Sequence, residues 1–322
     1  MKCLYFLIIM IIFASPVCFA QDEADYSFTQ ITPLVSYEYL HLAQQQFHSP
    51  GEELSFMRSE GQNLFLLQAS AKQYFLEQEN TDGYEGPYYS DTLVLLQKTG
   101  AHQFVALFDT SSSEPVYGGL RTFVAGIGYL YEFMHTERGS LAAGAYVVVI
   151  DGGIEYGDGK TWPVYPIPSI RYEFNSQFFA LNASLPIPPE LSFTVLPENK
   201  IRFTTTISLN NMDRFRGARD MLFDCALWYR FFDTDSEQGD SAGLGVGIKN
   251  SGLCFDFGEK NKSYELQYYS LYGTLDLSFV QISGGYCFSG REILDSSNSG
   301  SFHNTRTLGG GYFISISANI QF

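Results

Sequence analysis

The sequence predicts an all-β fold, a transmembrane antiparallel β-barrel of about 12–14 strands, and three observations carry that prediction. Apolar and polar residues alternate with a period of two along most of the chain. The apolar rows are rich in Tyr and Phe near strand ends, as the aromatic girdles of a membrane barrel require. No stretch approaches the roughly 18 consecutive apolar residues of a membrane-crossing helix.

The N-terminal segment has a different character. Lys2 precedes an apolar run over 4–13, then Ala14-Ser15-Pro16-Val17-Cys18-Phe19-Ala20 with a small residue at its end, then polar Gln21-Asp22-Glu23. That layout is expected of a signal peptide over 1–20, cleaved after Ala20 and directing export. Residues 21–322 then form one barrel domain, with no composition shift that would mark a second.

Strand candidates follow in order. Less regular segments lie at 31–40, 63–75, 92–98 and 103–109. Over 123–133, Phe123, Ala125, Ile127, Tyr129, Tyr131 and Phe133 share one face. A further irregular segment covers 141–150. Residues 168–174 alternate, placing Ser169, Arg171 and Glu173 together, and Asn175-Ser176 turns the chain into 177–185. Segments 191–195 and 201–209 read as a hairpin about the turn at 197–200. The segments 221–231, 242–248, 264–279 and 281–288 continue the pattern. Short hairpin turns are expected at 99–102 and 136–139. Polar stretches at 41–61, 76–91, 152–163, 210–218, 233–241 and 289–308 read as extended loops, with a short helical piece near 214–220.

Alternation alone is shared with soluble sheets, which bury their apolar face. In a membrane barrel the apolar row meets lipid and the polar row lines the interior. On that reading Arg171, Glu173, Arg202, Thr204, Asp224, Arg230 and Asp276 line the lumen. They either pair across it and fill it, or line a path that selects solutes.

The last segment is Tyr312-Phe313-Ile314-Ser315-Ile316-Ser317-Ala318-Asn319-Ile320-Gln321-Phe322. Tyr312, Ile314, Ile316, Ala318, Ile320 and Phe322 form one row, and Phe313 breaks the polarity of the other. This segment resembles the C-terminal insertion signal of bacterial outer-membrane β-barrel proteins, with aliphatic residues at some positions where that signal often has aromatics. The resemblance implies the outer membrane of a Gram-negative-type bacterium, with membrane lipid and the barrel-assembly machinery as partners. The region 126–209 also resembles uncharacterised outer-membrane barrel domains, which implies no activity.

The formal charge of −16 argues against a nucleic-acid partner. Many acids cluster at 22–25, 52–53, 77–82 and 233–240, which suits solvated connections. Cys225, Cys254 and Cys287 are widely spaced, which fits neither a disulfide framework nor a zinc site. No catalytic constellation is recognisable. His41, His48, His102, His135 and His303 are scattered, and no G-x-S-x-G or H-E-x-x-H is present. The glycine-rich stretch 151–161 ends in Gly159-Lys160-Thr161, but a glycine is missing at the spacing of a phosphate-binding loop, and Trp162-Pro163 follow. No enzyme activity, cofactor or metal is expected.

The function expected is a passive pore or small-solute channel, its solute unknown. The alternative is a barrel-anchored surface or adhesion protein acting through loops such as 41–61 and 76–91. A membrane-embedded hydrolase ranks below both, and a soluble secreted β protein is the rival fold.

Overall fold

A computed structural model describes residues 27–43, 45–78, 87–115, 122–150, 155–156, 160–161, 163–185, 189–209, 221–231, 242–256, 262–277, 279–296 and 303–319. The proposed signal segment lies outside them, as does the short helical piece expected near 214–220. The strands are β1 (Ser27–Leu42), β2 (Gln45–Glu60), β3 (Asn63–Gln78), β4 (Tyr88–Thr99), β5 (His102–Ser112), β6 (Phe123–Thr136) and β7 (Gly139–Val149). A two-residue ribbon follows, β8 (Glu155–Tyr156) with β9 (Lys160–Thr161). The chain continues through β10 (Val164–Asn175), β11 (Phe179–Leu185), β12 (Glu190–Val195), β13 (Ile201–Leu209) and β14 (Met221–Arg230). It ends with β15 (Ala242–Asp256), β16 (Lys262–Leu277), β17 (Val280–Ser296), β18 (His303–Leu308) and β19 (Gly311–Asn319).

Each wall strand pairs antiparallel with its neighbour in sequence, and β19 returns to pair with β1, with Tyr37 opposite Ile316. β18 and β19 both lie against β17 and form one stave broken at Gly309-Gly310, so the wall closes with sixteen staves. The barrel class matches the sequence reading, with a higher strand number. Two segments read as loops are wall: 45–60 is β2, and β17 runs on to Ser296 before β18 begins. Their polarity hid them, for a reason given below.

The barrel has unlike ends. The lower end holds the start of β1, the end of β19, the tight turns 61–62, 100–101, 137–138 and 176–178, and one longer connection, 231–241. Gly61 and Gly100 sit in two of these turns at φ +56°, where a Cβ would be strained. The upper end carries the longer connections 79–87, 113–122, 150–163 and 210–220. The wall is also uneven in height. β1, β2, β3 and β16 have 16 residues each and β17 has 17, whereas β11 has 7, β12 has 6 and β13 has 9.

Residues opposite each other across a ladder share a face, so a row can be followed round the barrel. One runs Phe174, Leu181, Phe193, Thr205, Cys225, Ile248, Leu271, Tyr286, Tyr312, His41, Gln46. Another runs Glu173, Asn182, Ser192, Thr206, Asp224, Lys249, Ser270, Cys287, Gly311, Leu42, Gln45. Contacts that reach over an intervening strand identify the concave side. Tyr272 on β16 donates to Asp224 on β14 at 2.5 Å, over β15. Lys72 on β3 meets Glu38 on β1 at 2.9 Å, over β2. The second row therefore faces inward and the first outward.

Candidate lumen and its two lobes

The outward face is apolar and exposed around the lower and middle barrel. Ile127 is 68% exposed, Phe133 56% and Tyr286 59%. Tyr312, Ile314 and Ile316 belong to this face and are exposed, while Ile320 and Phe322 lie outside the described residues. An exposed apolar exterior round a polar, charged interior inverts the polarity of a soluble sheet.

All seven lumen candidates lie on inward rows, but they do not form one cluster. Arg171 and Glu173 sit on β10, and the Arg171 guanidinium donates to Gln103 on β5 at 3.4 Å, over β6 and β7. Glu173 is exposed inside the barrel and has Asn182 opposite it. Arg202 faces Trp228 across the β13–β14 ladder and lies 5.6 Å from its ring. Arg230 and Asp276 are within electrostatic reach of Arg202, which makes a mixed-charge group near the lower end. Gly243 and Gly245 beside them leave room: a Cβ on Gly245 would come within 2.9 Å of the Trp228 ring. The Thr204 hydroxyl leans on the Ala226 carbonyl at 3.5 Å, and Asp224 is taken by Tyr272.

Sequence reasoning missed several interior groups, because they lie in irregular or loop-like segments. Lys98 reaches Glu132 at 2.7 Å over β5, and Gln103 and His135 also meet that carboxylate. His135 thus binds Glu132 at 2.8 Å. Lys249 lies 4.8 Å from the Phe313 ring and 5.2 Å from that of Tyr272. This accounts for Phe313: its ring faces inward, is buried, and packs where a Cβ on Gly285 would be 2.8 Å from it. The ribbon at 155–161 occupies part of the glycine-rich stretch, whose other residues to 159 lie outside the described set.

At the upper end the barrel is pinched. Asp256 on β15 pairs in parallel with Ser112 on β5, although these strands are eight staves apart in either direction. The bridge divides the mouth into two arcs. The tall arc runs from β15 through β17, β1 and β3 to β5, and its interior is filled. Tyr88 stacks on Phe255 at 4.7 Å and on Tyr264 at 5.6 Å, joining opposite walls. Leu40, Leu42, Phe47, Tyr74, Leu266 and Leu308 complete this core. Buried Gln45 donates to Glu292 and accepts from Tyr264. Here the inward residues other than the bonded Gln45 and Glu292 are mostly apolar, and outward ones, such as His41, Gln46 and Glu52, are polar. The low arc runs from β5 through β7, β10 and β12 to β15. Its β5–β7 part is lined by Val105, Val124, Leu130, Tyr146 and Val148. Along β10–β12 it opens into a recess of about 130 Å³ lined by Arg171, Glu173, Asn182, Ser184 and Glu190 among others.

Closure without a free edge, a lipid-compatible exterior and a charged interior define a transmembrane β-barrel. No family model and no curated sequence matches the chain. Among solved structures it is similar to the outer membrane protein OpdK of Pseudomonas aeruginosa, at 9% identity and TM-score 0.40, covering 92% of this chain and 99% of that one. It is similar to OpdL of the same organism at 12% identity and TM-score 0.38, covering 92% and 99%. OccAB3 of Acinetobacter baumannii aligns at 10% identity and TM-score 0.34, also covering 92% and 99%. The class rests on the closure and the two faces of this chain itself.

Proposed function

We propose that this chain is an outer-membrane pore for small solutes. One observation carries the reading: Glu173, Asn182 and Glu190 are solvent-exposed on the inward face of a wall whose outward face is apolar. A barrel acting only as an anchor has no need of wetted, unpaired charges inside. Export by residues 1–20, a barrel domain over 21–322, and assembly through Tyr312, Ile314, Ile316, Ile320 and Phe322 belong to the same proposal. So does the lumen-lining role of Arg171, Glu173, Arg202, Thr204, Asp224, Arg230 and Asp276.

The reading predicts stepwise conductance when the purified, folded protein enters a planar bilayer. A heat-modifiable, correctly inserted protein that gives no steps would overturn it in favour of the anchor role. That role has less material than the sequence promised, since most of 41–61 is strand β2.

A further inference from the structure

We propose that the conducting path is eccentric, running along β10–β14 of the low arc, and that the carboxylates of Glu173 and Glu190 give it a preference for cations. The inference rests on the pore reading and adds where the path lies and what it favours.

The position follows from what is filled. In the upper half of the tall arc the inward side chains are shut away: Leu42 and Tyr264 are 0% exposed and Phe255 is 1%. The Asp256–Ser112 bridge and the Tyr88 stack tie that lobe to the opposite wall, and its described inward side chains fill it. The β5–β7 face beside it is covered by its own apolar side chains, Leu130, Tyr146 and Val148. The inward rows of β10–β12 instead hold Glu173, Asn182 and Glu190, all exposed around the recess, whereas the exposed inward residues Asp109 and Gln68 of the other walls are bonded to Thr92 and Glu53.

The sign of the preference follows from which charges are engaged. Glu38 is neutralised by Lys72, and Glu132 by Lys98. Lys249 lies between two rings, and buried Glu292 is held by Gln45 in the filled lobe. On the open path Arg171 is drawn toward Gln103, whereas Glu173 and Glu190 have no ion-pair partner among the described residues. Arg202 and Arg230 lie farther down, next to Asp276. A solute passing β10–β12 therefore meets two carboxylates without an ion-pair partner against the single guanidinium of Arg171, a net negative recess. Acidic side chains in a narrow aqueous path raise the local cation concentration and repel anions.

The test is the reversal potential of single channels of the full mature chain under a KCl gradient. The wild type should favour K⁺ over Cl⁻ by roughly threefold, and Glu173→Gln with Glu190→Gln should bring that ratio to about one. Glu190→Lys alone should invert it. Glu292→Gln, in the filled lobe, should leave it unchanged. An anion-preferring or unselective wild type overturns the proposal while leaving the pore standing. So does a ratio unmoved by the double substitution, or moved as far by Glu292→Gln. A folded protein that passes no current removes the pore itself, and the selectivity with it. Both glutamates are exposed, so unchanged heat-modifiable mobility of the variants checks folding independently.

Discussion

The tall and low arcs are built from the same kind of strand, yet their interiors follow opposite rules. Along β11–β13 and the lower parts of β10, β16, β17 and β19, apolar residues point out and polar ones in. Near the top of the tall arc the same alternation carries Leu40, Leu42, Phe47 and Leu266 inward and Gln46 and Glu52 outward. The first arrangement suits lipid outside and water inside. The second is that of a soluble sheet closed over its own core. Polarity thus reports the surroundings at each level of a strand, and a strand long enough to leave the membrane reverses its code partway.

Substitutions can break this contrast, and the largest effect should come from the filled lobe. Tyr88→Ala removes a fully buried ring that spans the pinch, with an expected loss of about 3–5 kcal/mol in denaturant unfolding from detergent or lipid. If Tyr88→Ala is neutral, the lobe is not a core. Gly128→Val should cost about 2 kcal/mol, because even its Cβ would approach Tyr146 Cδ1 to 2.3 Å and displace a buried ring. Lys72→Met leaves the half-buried Glu38 without its cation and should cost about 1–2 kcal/mol. Glu190→Gln sits at the other extreme, within about 0.5 kcal/mol of wild type, since the side chain is exposed and unpaired. A large loss there would mean that the recess is structural.

The same contrast explains what the sequence disclosed. Strand β13 and the lower parts of β10 and β19 keep one polarity, so their period of two is legible and groups Arg171 with Glu173 and Arg202 with Thr204. The stretch 41–61 carries the pattern of a loop because the upper part of β2 changes sides, with Pro50-Gly51-Glu52-Glu53 in the middle. Phe313 looked anomalous for the same reason: it lies where the inward row passes from polar to filled. Partners across the lumen, such as Lys98 with Glu132, were illegible because they depend on curvature and register. The pinch joins residues far apart in sequence, and no local pattern encodes it.

The seam between β1 and β19 has a consequence for the order of assembly. Apart from the single β5–β15 bridge and the return of β19 to β17 past β18, the wall pairings join strands adjacent in sequence and can form hairpin by hairpin, with little loop entropy to overcome. The pairing of Leu34 with Asn319 spans nearly the whole described chain and cannot form until the intervening sheet has curled far enough to present both edges. The backbone amides of Tyr39 and Ile314 should accordingly be among the last to gain protection from exchange as the barrel folds.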